Sequence, residues 1–147
     1  MEATHDYLRI ALMNLRPVPP AYIPQLWAKV GNMLSKALET GAGEYNADQL
    51  KVMLVNGQQA LLVVESGEEI KGAFCIAFEM YPNDRIAFVT AVGGRAMCDQ
   101  EAWKQFEHWA RLQGCTKIRG AAYESVARLW RQKFGVESRY LIVEKEL

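Results

Sequence analysis

The spacing of apolar side chains changes period once along the first two thirds of the sequence, and that change limits the fold more than any other feature. Ile23, Leu26, Trp27, Val30, Leu34 and Leu38 recur at the three-to-four-residue spacing of a helix face. Beyond residue 58 the pattern shortens to strand-like runs, with Phe74, Ile76 and Phe78 alternating. A chain that is helical first and strand-rich next packs helices onto a sheet.

The boundaries follow from local chemistry. Pro17, Pro19 and Pro20 stop any regular element after the ambiguous apolar stretch Leu8–Leu15. A helix is predicted over Ile23–Glu39, ended by Thr40-Gly41-Ala42-Gly43. Asn46 caps a second helix, with Gln49 three residues on as in a capping box, and Leu50, Met53 and Leu54 as its buried stripe. Asn56-Gly57 closes it. Three strands follow, over Gln59–Glu65, Ile70–Tyr81 and Arg85–Val92, joined by Ser66-Gly67 and Pro82-Asn83-Asp84 as an antiparallel meander. Gly93-Gly94 is expected to break the third strand.

A third helix is predicted from Asp99 as N-cap, with Trp103, Phe106, Trp109 and Ala110 on its apolar face and Gly114 at C′. A short strand spans Thr116–Tyr123. Ser125 is expected to cap a fourth helix carrying Val126, Leu129 and Trp130, ending near Phe134-Gly135. Arg139–Glu144 reads as a last strand, with Tyr140 packed in it. The four tryptophans fall on helices among apolar neighbours, where core packing is their expected role. The whole is an α+β (α/β) arrangement: a mixed central sheet flanked by about four helices.

Composition excludes several classes. At 147 residues, 50% hydrophobic and 23% charged, the chain suits one folded domain rather than a disordered segment. Residues 1–147 are read as that domain, with 1–14 as an N-terminal extension. No apolar run nears the ~20 residues of a bilayer span, and Met1–Leu15 lacks the layout of a signal peptide. Net charge is zero. Residues 1–94 carry 7 basic and 10 acidic side chains, and 95–147 carry 10 and 7. That +3 half is interleaved with acidic residues, so nucleic acid is not an expected partner. Cys75, Cys98 and Cys115 are odd in number and widely spaced. They read as small apolar residues of a reduced protein, with no metal-ligand spacing. Cys98 lies just before a helix start.

Several stretches carry a resemblance. "QQALLVVESGEEIKGAFCIAF", "RIAFVTAVGG", "FEHWARLQGCTKIRGAA" and "LWRQKFGVESRYLIVEKEL", in this order, resemble the strands, helix and C-terminal ending of the GCN5-related N-acetyltransferase (GNAT) family. The resemblance runs from about Leu15 to Leu147. The Pro-rich start Leu15–Pro20, Trp27, the stretch Asp48–Val63 and Gly93-Gly94 are similar to GNAT-like proteins of tailed bacteriophages.

The resemblance implies acetyl-CoA as cofactor, held by amides of a glycine-rich loop and the following helix start. The matching stretch here is Val92, Gly93, Gly94 and Arg95, running on to Asp99 without the family's Gly-x-Gly spacing. CoA binding through these residues and a plain capped turn both account for them. The family's general-acid tyrosine, four residues before the last glycine, is replaced by Arg131. Glu79 and Tyr81 are candidates for the base, against a solvated strand end, and His108 is expected at a helix surface. No catalytic residue is assigned.

Two functions follow from the resemblance. The first is a catalytically degenerate GNAT-like phage protein without cofactor. It would act by contact with other virion proteins or by self-association, in the host cytoplasm or incorporated in the virion, and without membrane insertion. The second is an acetyl-CoA-dependent N-acetyltransferase of a protein or small amine.

Overall fold

The computed structural model describes residues 13–41 and 43–147. The described elements are β1 (Asn14–Val18), α1 (Ile23–Glu39), α2 (Ala47–Val55), β2 (Ala60–Ser66), β3 (Glu69–Met80), β4 (Arg85–Gly94), α3 (Gln100–Leu112), β5 (Lys117–Gly120) and α4 (Glu124–Phe134). Single 3₁₀ turns occupy Pro20–Tyr22 and Arg95–Met97. The strands form one sheet in the order β1-β2-β3-β4-β5. The first four are antiparallel neighbours, and β5 joins β4 in parallel. This is the mixed α+β sheet with four helices that the sequence predicts.

Alternation along the central strands builds two cores. Leu62, Val64, Phe74 and Ile76 face one side, with Trp103 and Phe106 of α3 and Trp130 of α4. Leu61, Val63, Ala73 and Cys75 face the other, with Val30 and Leu34 of α1 and Leu50 and Leu54 of α2. This explains why Leu61–Val64 is apolar without a polar beat: a strand covered by helices on both faces has no solvent side. Each such fully buried side chain contributes about 1.5–3 kcal/mol.

The Asn46–Gln49 capping box is present in both directions, at 2.8 and 2.9 Å, and Asp99 caps α3. Met53 is only partly buried, beside Leu50 and Leu54. Trp103 and Trp130 are core residues, and Trp27 and Trp109 pack partly buried against the cores.

Several expectations are corrected. Pro17 does not end the first element: β1 runs through it, paired with Leu62. An edge strand tolerates a residue that cannot donate to a ladder. The part of Leu8–Leu15 before Met13 lies outside the described residues. Gly93-Gly94 does not break β4: the pair stays in register with Ala73 and Gly72. The fifth strand is shorter than Thr116–Tyr123, ending at Gly120. Ser125 does not cap α4: Tyr123 is the N-cap and makes no side-chain capping bond. Residues 139–144 form no strand, and Tyr140 is exposed rather than packed. Among the cysteines, Cys75 and Cys115 are buried as expected, whereas Cys98 is exposed.

Candidate cofactor site

Strand β4 positions the site. Its register against β3 slips between Val89, paired with Ile76, and Ala91, paired with Cys75. Thr90 is therefore an extra, bulged residue. Its hydroxyl lies 3.1 Å from the Cys75 carbonyl, and Gln59, the one buried polar residue of the described core, lies against it. Burial pushes the Cys75 thiol far above its usual range, so it is not a nucleophile. On the other side, β5 pairs with β4 only from Ile86 to Val89. The two parallel strands part at the bulge, and β4 runs on to Gly94 paired with β3 but not with β5.

Beyond the bulge, the glycines are sites of close packing. A Cβ on Gly93 would lie 2.9 Å from the Met33 carbonyl of α1. Gly94 has φ +61°, and a Cβ there would lie 2.3 Å from the Lys71 carbonyl. The backbone next folds into the 3₁₀ turn. The Arg95 carbonyl accepts from the amides of Cys98 (3.3 Å) and Asp99 (3.0 Å). Asp99 Oδ1 accepts from the Ala102 amide at 2.8 Å. Trp103 Nε1 donates to the Ala96 carbonyl at 2.8 Å, tying the turn to α3.

Of the residues singled out by sequence, Val92, Gly93 and Gly94 line one groove of about 520 Å³ between the end of β4 and α1. Arg95 is exposed and does not line it. Lys29 and Lys36 do, from the α1 face that also carries Met33. The sequence reading missed them. Their i, i+4, i+7 spacing with Met33 was readable, but nothing in it told which strand that face meets. Glu79 and Tyr81 are not at this groove. They stand at the opposite end of the β3–β4 hairpin, where Glu79 pairs with Ile86, roughly 25 Å along the strand from Gly94. His108 is exposed on α3.

Arg131, four residues before Gly135, where the resemblance implied a tyrosine, donates to Ser138 Oγ at 2.8 Å and is ion-paired with Glu124. A guanidinium does not give up its proton near neutral pH, so this residue cannot serve as a general acid.

No protein-family model and no curated protein sequence matches the chain. Solved structures do. An aminoglycoside acetyltransferase from an uncultured soil metagenomic sample, in complex with trehalose, superposes with a TM-score of 0.66 at 10% identity, over 92% of this chain and 96% of that one. The fold is that of the GNAT acetyltransferases. Aminoglycoside N-acetyltransferase AAC(6')-Iy in complex with CoA gives 0.64 at 10% identity, over 92% and 95%. A ribosomal-protein-alanine N-acetyltransferase from Brucella melitensis biovar Abortus 2308 gives 0.66 at 10% identity, over 92% and 100%. The likeness spans a whole GNAT domain and, at these identities, concerns the fold. Among the described residues no helix is long and apolar enough to cross a membrane.

Proposed function

We propose that this GNAT-fold chain does not catalyse acetyl transfer and works through protein–protein contact, as a virion or virion-assembly component. The observation that carries the non-catalytic half is the state of the turn before α3. A pyrophosphate needs unpaired amides and a positive helix end. Here the amides of Cys98, Asp99 and Ala102 are bonded within the chain, and the Asp99 carboxylate occupies the helix end with negative charge. Those three amides are therefore not free for an anion, and the charge at the helix end opposes one. Arg131 in place of a proton donor supports the same reading. The virion half is carried only by the resemblance to GNAT-like phage proteins read in the sequence. Detection of the chain by mass spectrometry in purified particles tests that half.

A specific feature favours an active acetyltransferase as the second reading: the groove at Gly93 and Gly94 carries Lys29 and Lys36, two cations that suit a phosphate-bearing ligand. Calorimetric titration with CoA and acetyl-CoA separates the two. We expect no heat and no thermal shift at millimolar ligand. A cofactor present at 100 times its Kd would add about 2.7 kcal/mol to stability. Saturable binding with turnover on an amine would overturn the non-catalytic reading.

A further inference from the structure

At the turn end of the β3–β4 hairpin, remote from the Gly93–Gly94 groove, two large apolar side chains stand in the open: Met80 is 67% and Leu112 70% exposed. Arg85 makes them neighbours. Its Nη1 donates to Met80 Sδ at 3.2 Å, and its Nε donates at 3.0 Å to the carbonyl of Gln113, the residue after Leu112. Beneath them Phe78 packs on Trp109, with ring centroids 5.8 Å apart. Leu112 lies three residues after Trp109 on the same face of α3, so the apolar surface runs on from that ring pair to the open end of the helix. Single exposed apolar residues are ordinary, whereas a joined group around an arginine has the make-up of a contact surface.

Arg85 is held ready for a ligand. Its guanidinium lies over the Phe78 ring, 4.4 Å from the centroid, and its carbonyl accepts from the Thr116 amide at 2.8 Å. A side chain fixed in this way loses little freedom when a partner arrives. It also lacks an acid. Lys117 has Asp84 at 3.1 Å and Arg111 has Glu107 at 3.7 Å, but among the described residues no carboxylate pairs with Arg85. Its sequence neighbour Asp84 is already engaged by Thr116 and Lys117. Nη2 has no acceptor among the described residues, and the thioether on Nη1 is a weak one. A guanidinium offers parallel N–H groups that a carboxylate fills two at a time.

We propose that this patch binds an acidic, apolar segment of another protein. A carboxylate of that segment takes the open edge of Arg85, and apolar side chains on either side of it cover Met80 and Leu112. A second copy fits less well, because two such patches set face to face would oppose one Arg85 to the other. The inference names a surface for the protein–protein contact proposed above and rests on that reading.

The test is an NMR titration of the full isotope-labelled chain with the peptide Ser-Leu-Glu-Leu-Ser, capped at both ends so that the glutamate is its only charge. Millimolar peptide should give saturable shifts confined to the amides of residues 78–85 and 109–116. The same peptide with Gln for Glu should bind about tenfold more weakly, and so should the Arg85→Met variant, which keeps a chain over Phe78 and drops the charge. Arg85→Lys keeps the charge without the fork and should fall between the two. Because Arg85 also ties the hairpin to α3, Leu112→Ser is the second variant: it removes only exposed cover and should weaken both peptides alike with an unchanged far-ultraviolet spectrum. No shifts, shifts outside those two segments, or equal affinity for the Glu and Gln peptides would overturn the proposal. Patch amides that shift on dilution without peptide would also overturn it, since a second copy would then be the occupant. None of these results alters particle detection or the CoA titration, so failure of the patch and failure of the wider reading are told apart.

Discussion

Gly94 and Gly135 both adopt positive φ, at +61° and +68°, yet their surroundings differ. Around Gly135 a Cβ would meet nothing within 4 Å, so alanine there carries only the backbone penalty, about 1 kcal/mol. At Gly94 the same Cβ would strike the Lys71 carbonyl and the Gly72 Cα. Gly94→Ala should therefore combine the penalty with overpacking against backbone that cannot rotate away, about 2–5 kcal/mol in all. Urea denaturation of the two variants compares them directly, and equal losses would mean that the β3–β4 contact yields. The contrast bears on function. A glycine kept so that a ligand can approach leaves open space, whereas here the space is filled by β3.

Between elements, Asp84 is the tether to follow. From the β3–β4 turn its carboxylate accepts from Thr116 Oγ1 (2.9 Å) and Lys117 Nζ (3.1 Å), at the start of β5. Those two bonds, helped by Arg119, hold its pKa below the usual aspartate value of 3.8. A lowered folded-state pKa means stability that is present in full above the unfolded-state value and lost as pH falls through the folded one. The β5 amides should thus keep their exchange protection at pH 5 and lose it below the ordinary aspartate range. Asp84→Asn should remove that pH dependence, as hydrogen exchange or an NMR titration would read. Elements of this kind also show what the sequence makes legible. α1, the α2 capping box and the β2–β4 meander were readable because each is set by local periodicity and side-chain chemistry. Pro17 and Gly93-Gly94 misled because their local preferences yielded to position: one sits on an edge strand, the other where Met33 and Lys71 press on the backbone. Ser125 looked like a cap, but helix α4 starts earlier, at Glu124. The Lys29–Lys36 groove was illegible because it joins residues about sixty positions apart. Residues 139–144 read as a strand by pattern, but pairing is a property of two segments, and the second was not named by the first.

At the scale of the molecule, the sheet is the shared floor of two cores, and this sets how losses combine. Leu34 packs under α1 on one face and Phe106 under α3 on the other, both fully buried. Phe106 lies in an aromatic cluster, 4.7 Å from the Phe74 ring and 5.5 Å from Trp103, which in turn stacks on Phe134 at 4.2 Å. Leu34→Ala should cost about 2–5 kcal/mol, through lost transfer energy and the cavity left behind. Phe106→Leu should cost about 1–3 kcal/mol, since part of the volume is kept. With the sheet between them the two share no partner, so the double variant should lose their sum to within about 0.5 kcal/mol. Both faces hang on the same β2–β3–β4 ladder, so they should also melt together. In a Trp27→Phe background the tryptophan near-ultraviolet signal, from Trp103, Trp109 and Trp130, reports one face, and far-ultraviolet signal reports the helices of both. The two curves should coincide in denaturant for every variant. Separated midpoints would show that α1 and α2 detach from the sheet as a unit. The groove at Gly93 would then belong to a hinge between layers, and not to a closed seam that leaves contact through the outer surface as the chain's means of action.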